Sequence, residues 1–397
     1  MSDRARRKDE TRLTTLGRDS EGTFGFVNPP LVRGSTVLHS SVDELRVRAR
    51  RRAGGDDSMP VAYGRFGTPT HYAFCDALTA LEGGYRSWTL PSGLAACTIA
   101  LLAYVRQGDH VLVADSVYAP TRRFCSETLA RYGVETTFYP PRIGGTIDAL
   151  FRPNTRVLFM ESPGSLTFEV QDVPLLARIA RARGAVSVID NTWATPLYLQ
   201  PLALGADVSV HAATKYIGGH SDLLIGTVTA NQEAWPALRE AVHQYGLTTS
   251  PDDCWLALRG LRTLAVRLAR HRENAERLIG WLRDQPEVSR VLYPALPEDP
   301  GYPLWRRDFR GASGLFGVVL APTVKERALN AMIEGLQLFG RGYSWGGFES
   351  LLIPASPERT AEAMPASGPM FRISAGLENA DDLIADLSAG FERLRAD

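Results

Sequence analysis

The feature that most restricts the fold is a series of short runs rich in β-branched and apolar residues: His110–Ala114, Val134–Tyr139, Arg156–Met160, Val186–Asp190 and Asp207–His211. Helical stretches near 120–132 and 173–183 lie between some of them, with Gly133 and Gly184 placed as C-caps. A strand that is apolar on alternate and intervening positions alike cannot leave one face in water, so these runs predict a largely parallel sheet covered by helices on both faces. Upstream, Phe74, Ala77, Leu78 and Leu81 mark a helix ended by Gly83-Gly84, and a strand ending at Pro91 leads into an apolar helix over 93–106. Residues 1–62 lack a strong period and read as an extended arm with one helix near 41–52; Asn28-Pro29-Pro30 and Gly54–Asp57 are turn-formers. Beyond residue 252 a helical stretch runs through Trp255, Leu258, Leu261, Leu264 and Leu268. Strands near Gly314–Val319 and Phe371–Ser374 and a closing helix from Ala380 follow. The expectation is an α/β chain: an arm over 1–62, a large domain over 63–254 and a smaller α+β domain over 255–397.

Composition narrows the partners. Lys+Arg and Asp+Glu both number 44, so the 397-residue chain has no net field with which to collect nucleic acid or an acidic membrane surface. Small molecules or further copies of the chain are the expected partners. Cys75, Cys97, Cys125 and Cys254 are scattered and form no C-x-x-C pair, which reads as buried free thiols and gives no metal site. The first ten residues are charged without an apolar core, and no run of about 18 apolar residues occurs, so a reducing cytoplasm is expected. Arg46, Arg48, Arg50, Arg51 and Arg52 read as a solvated helix face.

In an open parallel sheet ligands bind beyond the carboxyl ends of the strands. Asp190 ends one apolar run, and Ala213-Thr214-Lys215-Tyr216-Ile217-Gly218-Gly219 follows the next. Such a pair is what a pyridoxal 5′-phosphate (PLP) enzyme needs: a lysine to form an imine with the cofactor aldehyde, and a carboxylate to keep the pyridine nitrogen protonated. Ser92-Gly93-Leu94, between a strand and a helix, adds an anion site of free N–H groups at the positive end of the helix dipole. Singly these are a surface lysine, a turn cap and an N-cap; the weight lies in their combination.

Five strings carry a closer resemblance: Tyr63–Thr70 (YGRFGTPT), Glu161–Val170 (ESPGSLTFEV), Asp190–Pro196 (DNTWATP), Thr214–Asp222 (TKYIGGHSD) and Ser344–Ser350 (SWGGFES). In this order they resemble the Cys/Met-metabolism family of fold-type-I PLP enzymes, and within it the bacterial cystathionine β-lyases, from about Thr14 to the C-terminus. The resemblance implies an aspartate-aminotransferase-like fold with a mostly parallel seven-stranded sheet. It implies that Lys215 is the Schiff-base lysine, Asp190 the pyridinium partner and Tyr118 the aromatic against the cofactor ring. Ser92, Gly93, Leu94 and Thr214 match the phosphate ligands. Tyr63 and Arg65 match a pair that reaches the phosphate of a neighbouring subunit's site, so a dimer at least, and a tetramer as the family's usual form, is expected. Arg372, Ser344 and Trp345, with Tyr63, match the substrate side, Arg372 gripping the α-carboxylate. One departure is that Ala212 stands where many relatives carry a serine hydroxyl; another is Asn379 where relatives often have Asp. His211 reads as structural. The implied reaction is β-elimination at the C–S bond of L-cystathionine, in methionine biosynthesis. The family's γ-lyases and γ-synthases, a cysteine-S-conjugate β-lyase, or a regulator keeping residual lyase activity are the alternatives.

Overall fold

The protein is described from a computed structural model that covers residues 7–18, 22, 24–53, 61–363 and 367–396. The expected turn at Gly54–Asp57 and the first six residues lie outside the described residues. Seven strands form the larger sheet: β1 (Arg86–Leu90), β2 (His110–Ala114), β3 (Glu135–Tyr139), β4 (Thr155–Glu161), β5 (Val186–Asp190), β6 (Val208–Ala212) and β7 (Gly226–Ala230). Their order is β1-β7-β6-β5-β4-β2-β3, and every pairing is parallel except the two made by β7. β2 is buried along its whole length, and in β5 Ser187, Val188 and Ile189 are buried between the helix layers, which is why their sequences are continuous rather than alternating. β3 lies on one side of β2, whereas β4, β5 and β6 continue on the other. The chain therefore leaves a crevice over the carboxyl ends of β2 and β4, the place where such sheets bind ligands.

The smaller sheet holds β8 (Val288–Leu292), β9 (Leu315–Leu320), β10 (Leu351–Ala355) and β11 (Met370–Ser374) in the antiparallel order β10-β11-β9-β8. One continuous apolar cluster joins the two sheets: Leu158, Met160 and Trp193 from the larger side pack in the same core as Phe316 and Phe371 from the smaller. Removing a side chain such as Phe316 from water stabilises by about 1.5–3 kcal/mol. The smaller sheet is thus held rigidly against the crevice. The sequence boundary at 254 falls inside the helix Pro251–Leu261, which packs with the helix Leu264–Arg283 against Tyr216 and Ile217, the neighbours of Lys215.

Several elements differ from the sequence expectation. The arm carries a second helix, Asp9–Thr15, which buries Leu13. Arg262 donates to the carbonyls of Leu13 (2.8 Å) and Leu16 (2.6 Å), satisfying acceptors that a helix end leaves open. The stretch through Trp255 and Leu268 is broken at Arg262-Thr263. The helix expected over 93–106 ends at Leu102, and the one over 120–132 is a short α-helix, Ala119–Arg123, followed by a π-helical turn, Phe124–Leu129. His211 is buried beside Glu82, as a structural histidine should be, and all four cysteines are buried and free.

Candidate active site

A cavity of about 260 Å³ opens over the carboxyl ends of β2, β4, β5 and β6. Its walls include Ser92, Gly93, Leu94, Tyr118, Asp190, Thr214, Lys215, Ser344, Trp345 and Arg372, so ten of the sequence candidates converge there. Asp190 is the last residue of β5, and Lys215 follows the adjacent β6 by three residues. Parallel neighbours whose ends lie side by side project both groups into one space.

Lys215 Nζ donates to Ser344 Oγ at 2.7 Å and stands 5.4 Å from the centre of the Trp345 ring. Burial, and then the Arg372 guanidinium, bring its ammonium down to about 8 against the opposing pull of Asp190. Ser344 sits at φ +90°, a left-handed backbone that costs a non-glycine residue energy. Its carbonyl accepts from Arg372 Nη2 at 2.8 Å, so this one residue fixes both cations. Arg372 Nε is buried and has no hydrogen-bond partner among the described residues. Burial lowers the Arg372 guanidinium to about 10. A carboxylate offered to that open donor would gain a charge-assisted bond.

Asp190 Oδ1 accepts from both the backbone N–H (2.9 Å) and the hydroxyl of Thr192, while Oδ2 faces Cys97 Sγ at 3.5 Å. Thr192 Oγ1 in turn accepts from Ala212 N at 2.9 Å, tying β5 to β6 at the level of the site. Tyr118 caps the short helix Ala119–Arg123 with its ring half exposed, and its backbone N–H donates to Glu161 Oε2 at 2.6 Å. Glu161 ends β4 in register with Asp190 and lines the cavity. Burial, then the Asp190 charge, push its carboxyl well above the ordinary range. Glu161 opens one of the five strings without a role that the resemblance implies, although its strand-end position is the same signal that singles out Asp190. Tyr343 at the mouth was also missed, and only its place before Ser344 could have suggested it.

A model of the Cys/Met metabolism PLP-dependent enzymes matches residues 10–392. The chain belongs to that family. It is 42% identical over 397 residues to the cystathionine beta-lyase MetC of Escherichia coli, covering 98% of this chain and 100% of that protein. It is also 42% identical over 392 residues to a Salmonella typhimurium cystathionine beta-lyase, covering 97% and 98%. Among solved structures, a cystathionine gamma synthase from Xanthomonas oryzae superposes with a TM-score of 0.88 at 31% identity, over 98% of this chain and 99% of that one. The fold is therefore that of the fold-type-I PLP enzymes.

The cavity of this PLP-family chain fits its cofactor. A Cβ at Gly93 would lie 2.4 Å from Ala212 Cβ, so only glycine lets the helix Gly93–Leu102 begin this close to the end of β6. Ser92 Oγ caps Ala95 N at 3.1 Å, leaving the first-turn N–H groups of Gly93 and Leu94 without a helical acceptor and ready for a phosphate. Thr214 is more occupied than the resemblance implies: its hydroxyl accepts from Ile225 N (2.9 Å) and donates to Ile225 O (3.2 Å). Ala212 lines the cavity with a methyl group. Tyr63 and Arg65 are not brought into the cavity of their own chain. Tyr63 bridges to Thr36, and Arg65 donates to His243 O at 2.9 Å with its guanidinium over Phe66.

Proposed function

We propose that this chain is a PLP-dependent carbon–sulfur β-lyase that converts L-cystathionine, or a closely related thioether amino acid, to homocysteine, pyruvate and ammonia in methionine biosynthesis. The observation that carries this reading is the buried pair at its centre: a lysine amine held by Ser344, beside an arginine with an open donor. The names of the 42%-identical relatives, compared with the lower identity to the γ-synthase, support β- over γ-elimination.

In this reading Lys215, Asp190, Tyr118, Ser92, Gly93, Leu94 and Thr214 hold the cofactor, which when bound supplies an electron sink for the α-carbanion. Arg372 takes the substrate α-carboxylate through its free Nε. Lys215 Nζ, uncharged above a pKa of about 8, removes the α-proton, and Ser344 fixes where that amine points. Trp345 and Tyr118 cover the reacting carbon and exclude water. The C–S electron pair leaves with sulfur, which takes up a proton and departs as the thiol, and after release of the remaining three-carbon enamine acid, water hydrolyses it to pyruvate and ammonia. Tyr63 and Arg65, which lie outside the cavity of their own chain, serve the cavity of a second copy, so the active unit is a homodimer at least. Four free thiols support a reducing, cytoplasmic setting; among the described residues no helix is long and apolar enough to cross a membrane.

The test is an absorption spectrum of purified protein with PLP, before and after L-cystathionine, with homocysteine and pyruvate assayed in the same tube. An imine band perturbed by substrate and followed by both products is expected. Cysteine and 2-oxobutyrate instead would replace β- with γ-elimination.

A further inference from the structure

The connection from β10 to β11 leaves the smaller sheet and reaches the larger one. There Arg359, with a side chain only 3% exposed, donates to Glu169 Oε2 and lies 4.0 Å from Asp115 Oδ2. Thr360 N (3.0 and 3.1 Å), Thr360 Oγ1 (3.1 Å) and Ala361 N (2.9 Å) all donate to the Asp115 carboxylate. Arg122 completes the cluster: it donates to the Asp115 carboxylate, to Asp115 O at 2.7 Å and to Thr360 Oγ1 at 3.2 Å, with its guanidinium stacked over Phe138. Asp115 is fully enclosed. So much buried charge is expensive to desolvate and is tolerated because the opposed charges face one another, although Arg359 Nε and Glu169 Oε1 are buried without a hydrogen-bond partner among the described residues.

None of these residues lines the cavity, yet both loops that do are tied to them. Asp115 directly follows β2 and lies three residues before Tyr118. Glu169 accepts from Thr167 Oγ1 (2.9 Å) through its side chain and from Gly164 N (2.9 Å) through its carbonyl, at the base of the loop that puts Gly164, Ser165, Leu166 and Phe168 into the cavity. Ser165 N donates to Ser116 O at 2.7 Å, joining the two loops directly. We propose that Arg359 is a positioning residue: from the smaller sheet it spans Asp115 and Glu169, and so fixes the Tyr118 loop and the 163–168 loop in the arrangement that receives cofactor and substrate. This rests on reading the cavity as their common site.

The test uses PLP-loaded enzyme and the variants Arg359→Ala, Arg359→Lys and Glu362→Gln. Glu362, 3.5 Å from Arg359 at the cluster's open edge, serves as the control. Three quantities are read: the cofactor dissociation constant, the visible circular dichroism of bound PLP, and KM and kcat per cofactor-loaded site. Misplacing both loops should weaken PLP and raise KM by about tenfold each in Arg359→Ala, with altered cofactor dichroism and native far-ultraviolet signal. Arg359→Lys, keeping charge but not the fork, should recover part of each loss, and Glu362→Gln should match the parent. A folded Arg359→Ala with parental cofactor affinity, dichroism and KM overturns the proposal, as does an equal effect of Glu362→Gln. If Arg359→Ala does not fold, Arg359→Lys decides by the same readings. The cofactor constants are measured without substrate, so a parent that binds PLP but fails to make homocysteine and pyruvate overturns the β-lyase reading and leaves this one standing.

Discussion

A lysine is a useful base only while uncharged, and the proposed role of Lys215 depends on how burial and Arg372 shift that balance. Because its folded pKa falls to about 8, the neutral amine is populated above that pH rather than only above the ordinary lysine value. We therefore expect kcat to rise with pH through a midpoint near 8, read from a pH–rate profile at saturating substrate. Lys215→Ala should abolish both the imine absorption and turnover; retention of either sinks the assignment. Arg372→Lys loses the fork that matches a carboxylate, a loss of about 1.5–3 kcal/mol, or a KM rise of about 10- to 100-fold at constant cofactor content. Lys215 and Asp190 were legible in the sequence because strand ends are recognisable from the apolar runs before them. Arg359 was not, because its partners Asp115 and Glu169 are remote in sequence and only folding brings them to it.

Single elements show where sequence patterning suffices and where pairing decides. β2 and β5 coincide with the runs that announced them, since strands buried on both faces have little freedom in composition. β7, Gly-Thr-Val-Thr-Ala, carries no such run and was missed; it is a strand because β1 and β6 flank it. β10 contains Pro354, which argues against a strand except at an edge, and the edge of its sheet is where β10 lies. The helix Asp9–Thr15 is too short to announce itself and owes its existence to Leu13 and Arg262. The helix Gly93–Leu102 makes a sharper test of element placement. In Gly93→Ala the new methyl group meets Ala212 Cβ, and the helix start must withdraw from the cavity. We expect a protein that still folds but loses about 1–3 kcal/mol of stability, because neither clashing atom of Ala212 can swing away, and whose PLP dissociation constant rises by about tenfold or more if the phosphate takes these backbone donors. Parental affinity would place the phosphate elsewhere.

For the whole molecule, the proposed exchange of Tyr63 and Arg65 between copies predicts complementation. Lys215→Ala subunits keep Arg65 to lend, and Arg65→Ala subunits keep Lys215. Random mixing of the two should restore about a quarter of parental activity per subunit, because half the dimers are hybrid and each has one complete site. No recovery on mixing, with hybrids verified by tagged subunits, would place Arg65 in its own chain's site or in none. The threading of the larger sheet has a consequence for how such a molecule comes into being. β1 occupies the margin of that sheet and pairs only with β7, the last of its strands to be made. As the chain emerges from the ribosome, β1 has no strand to pair with, and Ser92 lacks the Gly226 backbone it packs against, until β7 arrives, and contacts so distant in sequence form slowly. The proposed phosphate cradle is therefore among the last parts of the larger sheet to be completed, and a nascent chain truncated before β7 should be unable to capture its coenzyme.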